Sequence, residues 1–189
     1  MKTVNTRGLA CPEPVIITKK ALSESKGDIK VLIDNDIAKE NVIKLLKNSN
    51  YQYEQIETES GFEIVVKNIK AKSDDINDKG FIVLCKSDLF GQGEAKLGST
   101  LMKSFFYSLT ELSSQPEKII FMNSGVKLAL STSPILESLS ILENSGCEIL
   151  SCGTCLDFYN VTDELSIGSV TNMYTSVELL ASSNKVISI

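Results

Sequence analysis

The sequence predicts an α/β protein made of two α/β domains: an N-terminal two-layer α/β sandwich in the order β-α-β-α-β-β, and a C-terminal domain with a mainly parallel sheet. Three observations carry this expectation. Apolar runs of strand length alternate with helical repeats along the 189 residues, the pattern of helices stacked on sheets. A polar stretch between Asn68 and Lys79, with charges of both signs, interrupts that pattern and has little to bury. Immediately after it, Gly80-Phe81-Ile82-Val83-Leu84-Cys85 is almost continuously apolar, as a parallel strand covered on both faces must be. The expected domains are 1–70 and 80–189, with 71–79 as the linker.

In the first domain, Lys2 to Asn5 reads as a short strand. A turn at Gly8 leads into a helix from Pro12 to about Ser25, which Gly27 ends. Ile29-Lys30-Val31-Leu32-Ile33 has the β-branched content of a half-buried strand, and Asp34-Asn35-Asp36 offers N-caps for a helix from Ile37 to about Asn48. Tyr51 to Glu57 and Phe62 to Lys67 alternate as two strands across a turn at Glu59-Ser60-Gly61.

In the second domain, the strand Gly80 to Cys85 is followed by a loop holding Gly91 and Gly93. That loop lacks the full Walker or dinucleotide pattern and reads as a hinge into the next helix. The helix runs from about Glu94 to Leu112, with Leu97, Leu101, Phe105 and Leu109 at helical spacing, and Ser114-Gln115-Pro116 stops it. The unit then repeats: strand Lys118 to Met122, loop Asn123-Ser124-Gly125, helix Ser133 to Asn144, strand Glu148 to Ser151, a cysteine loop, a helix near Met173 to Ser182, and strand Lys185 to Ser188. In such sheets, ligand-handling groups gather at the carboxyl ends of the strands.

Composition narrows the chemistry. With 42% apolar and 23% charged residues the chain can bury ordinary cores. No apolar stretch reaches the roughly 20 residues that span a bilayer, and no signal-peptide pattern opens the chain, so a cytoplasmic location without membrane partners is expected. A net charge of −5 without a Lys/Arg run argues against direct binding to nucleic acid. The five cysteines, at 11, 85, 147, 152 and 155, are odd in number and irregularly spaced, which fits a reducing compartment better than a disulfide framework. Histidine is absent, which removes every Cys-His or Ser-His pairing and the usual nitrogen ligand of zinc. With only Cys147, Cys152 and Cys155 clustered, neither a metal nor a cofactor is expected.

Cys11 is the first candidate for chemistry. It precedes Pro12, a residue favoured at the first helical position, which would put Cys11 at the N-cap. There the positive end of the helix dipole and first-turn amides such as those of Glu13 and Val15 would favour thiolate over thiol. Arg7, four residues upstream, would add positive charge, and the Glu13 carboxylate would oppose it. The alternative is a small, buried, inert cysteine. Cys152-Gly153-Thr154-Cys155 follows a strand, and its spacing lets one thiolate attack a mixed disulfide or persulfide held on the other. Here the alternative is a glycine turn with two incidental cysteines. Cys85 and Cys147 read as packing residues.

Arg7-Gly8-Leu9-Ala10-Cys11-Pro12-Glu13-Pro14 resembles the signature of the TusA/SirA sulfur-carrier family, and residues 1–70 follow that family's element order. The resemblance implies that Cys11 carries a persulfide and passes sulfur between proteins, with Arg7, Gly8, Pro12 and Glu13 as the substrate-binding positions around it. The family usually has Asp where this chain has Asn5. Residues 80–189 resemble a DsrE-like domain, with Asn123-Ser124-Gly125-Val126 near its strand-end loop and Cys152 near its sulfur-binding cysteine. The two domains in this order are similar to a family of selenium-metabolism proteins.

Together these resemblances imply a sulfur or selenium carrier or sulfurtransferase that relays its cargo from Cys11 to Cys152 and Cys155. They imply a cysteine desulfurase-type donor, acceptor proteins and a homo-oligomer. Two alternatives stand beside this: a thiol-disulfide oxidoreductase using Cys152 and Cys155, and a non-catalytic regulatory or assembly module.

Overall fold

The structure is a computed structural model that describes residues 1–10, 12–25, 27–49, 51–67 and 80–189, apart from the side chain of residue 48. Cys11 and the expected linker at 71–79 therefore lie outside the described residues. The chain divides into two compact units, Met1–Asp75 and Ile76–Ile189.

The first unit runs β1 (Lys2–Asn5), α1 (Glu13–Glu24), β2 (Ile29–Ile33), α2 (Asp36–Asn48), β3 (Gln52–Thr58) and β4 (Gly61–Lys67). Its sheet has the order β1-β2-β4-β3. β1 lies parallel to β2, and the other two pairings are antiparallel. Alternation along β2 puts Ile29, Val31 and Ile33 on one face, where they are fully buried with Ile64 and Val66 of β4. Against that face lie Ala21 and Leu22 of α1 and Ala38, Val42 and Leu46 of α2. On β2 and β4, Lys30 pairs with Glu63 at 2.7 Å, on strand positions that alternate with the buried ones. Two helices on one sheet face give the expected two-layer sandwich.

α2 starts where the sequence offered a choice of caps. Asn35 is the one used, its Oδ1 accepting from Ala38 N at 2.9 Å. The hairpin between β3 and β4 closes through Gly61, whose φ of +119° and close approach to the Ile33 carbonyl exclude a side chain.

The second unit contains β5 (Ile82–Cys85), α3 (Ala95–Thr110), β6 (Lys118–Phe121), a 3-10 turn (Asn123–Ala129), α4 (Leu136–Asn144), β7 (Glu148–Cys152), α5 (Gly153–Tyr159), a short 3-10 turn (Thr162–Glu164), β8 (Ser169–Thr171), α6 (Met173–Ser182) and β9 (Val186–Ser188). The sheet order is β8-β7-β6-β5-β9 with every pairing parallel. The larger core joins Val83, Cys85, Ile119, Phe121 and Ile149 of the strands to Met102, Phe106 and Leu109 of α3 and Leu139 and Leu142 of α4. On the other face, Leu179 and Leu180 of α6 pack against Ile82, Ile120 and Leu150. Both faces are covered, as a parallel sheet requires.

Four expectations are corrected here. α1 begins at Glu13, with Pro12 in the N-cap position, one residue later than the proline rule placed it. α3 packs through Gly98, Met102, Phe106 and Leu109, whereas Leu97 and Leu101 are 57% and 42% exposed. Two apolar stripes run side by side on that helix, and residues 89 and 90 decide between them. They lie over Gly98, where a Cβ would come within 3.1 Å of Leu89 Cβ, and Phe90 N donates to the Gly98 carbonyl. The cysteine segment is not a loop, because Cys152 ends β7 and Cys155 stands in the first turn of α5. α4 starts at Leu136 instead of Ser133, after turns that include Ser133 N donating to the Leu130 carbonyl.

Candidate functional site

The segment leading to residue 11 is held along its length. Thr6, fully buried, sends both its backbone N–H and its hydroxyl to the Leu32 carbonyl at 2.9 and 2.8 Å. Arg7 N donates to Asn5 Oδ1 at 3.2 Å, an Asx turn for which an amide oxygen serves as well as a carboxylate. The Arg7 guanidinium donates to Ser60 Oγ in the β3–β4 turn at 2.9 Å. Gly8, at φ +77°, gives its N–H to Asp34 Oδ2 at 2.7 Å. That bond, with a second from Asn35 Nδ2 and the nearby Arg7 charge, holds the Asp34 carboxyl below its ordinary range.

On the helix side, the Glu13 N–H is taken by the Ala10 carbonyl at 2.9 Å and the Val15 N–H by the Pro12 carbonyl at 3.1 Å. The first-turn amides expected to face a sulfur thus already have backbone partners. Arg7 likewise spends its charge toward Asp34 and Ser60. A cavity of about 250 Å³ lies between α1 and α2, lined by Leu9, Ala10, Pro14, Asn35, Ile37, Ala38 and Asn41. Its walls include Ala10 and Pro14 of the segment that contains position 11.

The second cysteine group lies at the carboxyl ends of β6 and β7, neighbours in the sheet. It does not sit at the β5–β9 junction, where the strand order reverses. Cys152 is buried, 2% exposed, while Cys155 is partly exposed. The Asn123 backbone N–H, at the start of the turn after β6, donates to Cys155 Sγ at 3.1 Å. Asn123 has φ +50°, a left-handed conformation uncommon outside glycine. Tyr159 Oη donates to Asn123 Oδ1 at 2.9 Å, and the Lys127 ammonium sits over the Tyr159 ring at 4.5 Å.

Burial pushes the Cys155 thiol above its ordinary value, and the neighbouring Cys152 side chain pushes the same way, while the Asn123 N–H opposes both. Next along the sheet, Ser124 Oγ donates to Asp88 Oδ1 at 2.8 Å and accepts from Asp88 N. Gly125 lies so close to the Cys85 carbonyl that a Cβ would come within 2.5 Å of it. The loops after β5 and β6 are locked together there.

Cys85 and Cys147 behave as packing residues. Both are buried, and burial pushes each thiol up to about 12. Of the expected site residues, Cys152 and Cys155 are brought together, Arg7 and Gly8 are tied to Ser60 and Asp34, Pro12 and Glu13 stand at the start of α1, and Cys11 lies outside the described residues. Asp34, Ser60, Lys127 and Tyr159 had no distinguishing signal in the sequence, because each acquires its role only by a contact across the fold. No helix among the described residues is long and apolar enough to cross a membrane.

Residues 2–68 match the family described as Sulfurtransferase TusA, and residues 79–189 match the DsrE/DsrF-like family. A protein of Methanocaldococcus jannaschii named as a candidate sulfur carrier is 41% identical over 70 residues, which is 35% of this chain and 93% of that protein. The crystal structure of a SirA-like protein from Desulfitobacterium hafniense is 39% identical, over 35% of this chain and 96% of that one, at a TM-score of 0.34. The YchN protein of E. coli covers 59% of this chain and 99% of its own length, at 15% identity and a TM-score of 0.44.

Proposed function

The chain belongs to the DsrE/DsrF-like family and carries a sulfurtransferase TusA domain ahead of it, and on that premise we propose that it is a sulfur carrier and transferase that holds a persulfide on Cys11. The observation that carries this reading is the eight-residue segment from Arg7 to Pro14, set in a matched TusA domain. The bracing of Thr6, Arg7 and Gly8 supports it, because a carrier must present one short segment to several partners in one conformation. The relative named as a candidate sulfur carrier points the same way.

The proposed cycle begins with a cysteine desulfurase-type donor whose persulfide gives its outer sulfur to Cys11. The Cys155 thiolate then attacks the outer sulfur of the Cys11 persulfide. A Cys155–S bond forms, the Cys11 S–S bond breaks, and Cys11 leaves as thiolate, so no net oxidation occurs. Cys155 is the receiving sulfur because it is the partly exposed one and because Asn123 offers its N–H there. Buried Cys152 is the resolving thiol. Its attack on the inner Cys155 sulfur releases hydrosulfide and leaves a Cys152–Cys155 disulfide, which a cellular dithiol reductant reopens. The order of the two domains is similar to that of the selenium metabolism protein YedF, and a selenium cargo would take the same steps with hydroselenide as the leaving group. The setting is cytoplasmic and the assembly a homo-oligomer.

The test is incubation of the chain with a cysteine desulfurase and cysteine, followed by peptide mass spectrometry. One added sulfur atom on the Cys11 peptide is expected, and none with Cys11→Ser. Adducts spread over other cysteines with none on Cys11 would sink the reading.

The contact of Cys155 with the Cys152 side chain favours one second reading, a thiol-disulfide oxidoreductase. That reading requires full activity in Cys11→Ser together with a reversible Cys152–Cys155 disulfide of defined potential.

A further inference from the structure

Two asparagines among the described residues take the left-handed conformation, Asn160 at φ +55° and Asn123 at φ +50°. Asn160 follows the last turn of α5, the usual place for such a residue at a helix end. Asn123 has no such explanation. It stands two residues past the end of β6, at the start of the 3-10 turn, and its strain persists only if its surroundings impose it.

Those surroundings are specific. The Asn123 side chain is caught by the Tyr159 hydroxyl at 2.9 Å, and its backbone N–H points at Cys155 Sγ at 3.1 Å. Tyr159 is itself fixed, with its ring edge-on to Phe158 and Lys127 on its face. Cys155 and Tyr159 stand four residues apart on α5, so one helix presents both the sulfur and the group that orients the sulfur's hydrogen-bond donor.

We propose that Tyr159 is the positioning residue of the Cys155 thiol: its hydroxyl holds Asn123 in the left-handed conformation that delivers the Asn123 N–H to sulfur. The inference deepens the relay reading and rests on it for the step it serves, the attack of Cys155 on a sulfane sulfur. A hydrogen bond from a fixed amide favours the anionic sulfur over the neutral thiol. The groups facing Cys155 are Cys152 from the end of β7, the Asn123 amide from the turn after β6, and, behind Asn123, Tyr159 and Lys127.

The experiment is the pH profile of iodoacetamide alkylation of Cys155 in the full chain, followed peptide by peptide. Tyr159→Phe keeps the ring and its contacts with Phe158 and Lys127 and removes only the hydroxyl. It is expected to raise the profile's midpoint by about half a pK unit, equivalent to about threefold less thiolate at a given pH. Asn123→Gly keeps the N–H and adopts positive φ without strain, so its midpoint stays near that of the parent. In the Asn123→Gly background, Tyr159→Phe shifts nothing, because there is no side chain left to hold.

An unchanged midpoint in Tyr159→Phe would overturn the inference. So would an equal shift in both backgrounds, since that would mean Tyr159 acts on Cys155 without Asn123. The readout is alkylation and needs no sulfur transfer, so failure of the relay and failure of the brace are told apart.

Discussion

At the scale of single residues, position 11 is presented by a segment whose N-terminal side is pinned at Thr6, Arg7 and Gly8, and the Asp34 carboxylate is the hinge pin. Because its folded-state value is lowered, its grip on Gly8 is present above the ordinary aspartate value and is lost as pH falls through the lowered one. The Gly8 amide resonance should titrate with that midpoint, and Asp34→Asn should abolish the titration. In an Asp34→Asn chain, sulfur loading of Cys11 should slow while the melting temperature moves little, since the carboxylate is exposed.

The cysteines separate by the same reasoning. At pH 8, Cys85 and Cys147, pushed up to about 12, should resist alkylation in the folded chain. Cys155, raised but partly exposed, should react and should react faster as pH climbs further. Equal labelling of all three by mass spectrometry would contradict the buried placement.

Helices and strands were legible to different depths. β1 and β2 stand at the residues their patterns indicate, since the β-branched residues Ile29, Val31 and Ile33 alternate with Lys30 and Leu32 and share one face. α3 was legible as a helix but not in its facing, because Leu97-Leu101-Phe105 and Gly98-Met102-Phe106 are both apolar stripes of the same period. The loop lying over Gly98 selects the second stripe, which no local pattern announces. The difference is measurable: Phe106→Ala should cost about 3–5 kcal/mol by chemical denaturation, and Leu101→Ala less than about 1 kcal/mol. Comparable losses would restore the first stripe as the core face. β8 had no signal at all, being three residues long and defined by its pairing with β7. At the start of α2, Asn35→Ala should cost about 1 kcal/mol through loss of its bond to Ala38.

At the scale of the whole molecule, the two units carry separate cores, one around Ile29, Val31, Val42 and Leu46 and the other around Met102, Phe106, Ile119 and Phe121. Calorimetry should resolve two transitions, with Leu46→Ala lowering one and Phe106→Ala the other. On β8 and α6, Val170, Met173, Tyr174 and Val177 are each more than half exposed, and contiguous apolar surface of that kind marks interaction sites. If the proposed homo-oligomer forms through them, Val177→Asp should reduce the mass seen by light scattering to that of one chain.

The sequence by itself determined the α/β class, the order of the elements apart from α5 and β8, the absence of any imidazole and the Cys-Pro-x-Pro segment. All of these are properties of composition and short-range spacing. Tertiary structure alone decided which stripe of α3 is buried and which of Cys152 and Cys155 is accessible, and it brought Asp34 to Gly8 and Tyr159 to Asn123. The last two outcomes depend on contacts between residues 26 and 36 positions apart, and side-chain chemistry at one position carries no record of which distant neighbour the fold will supply.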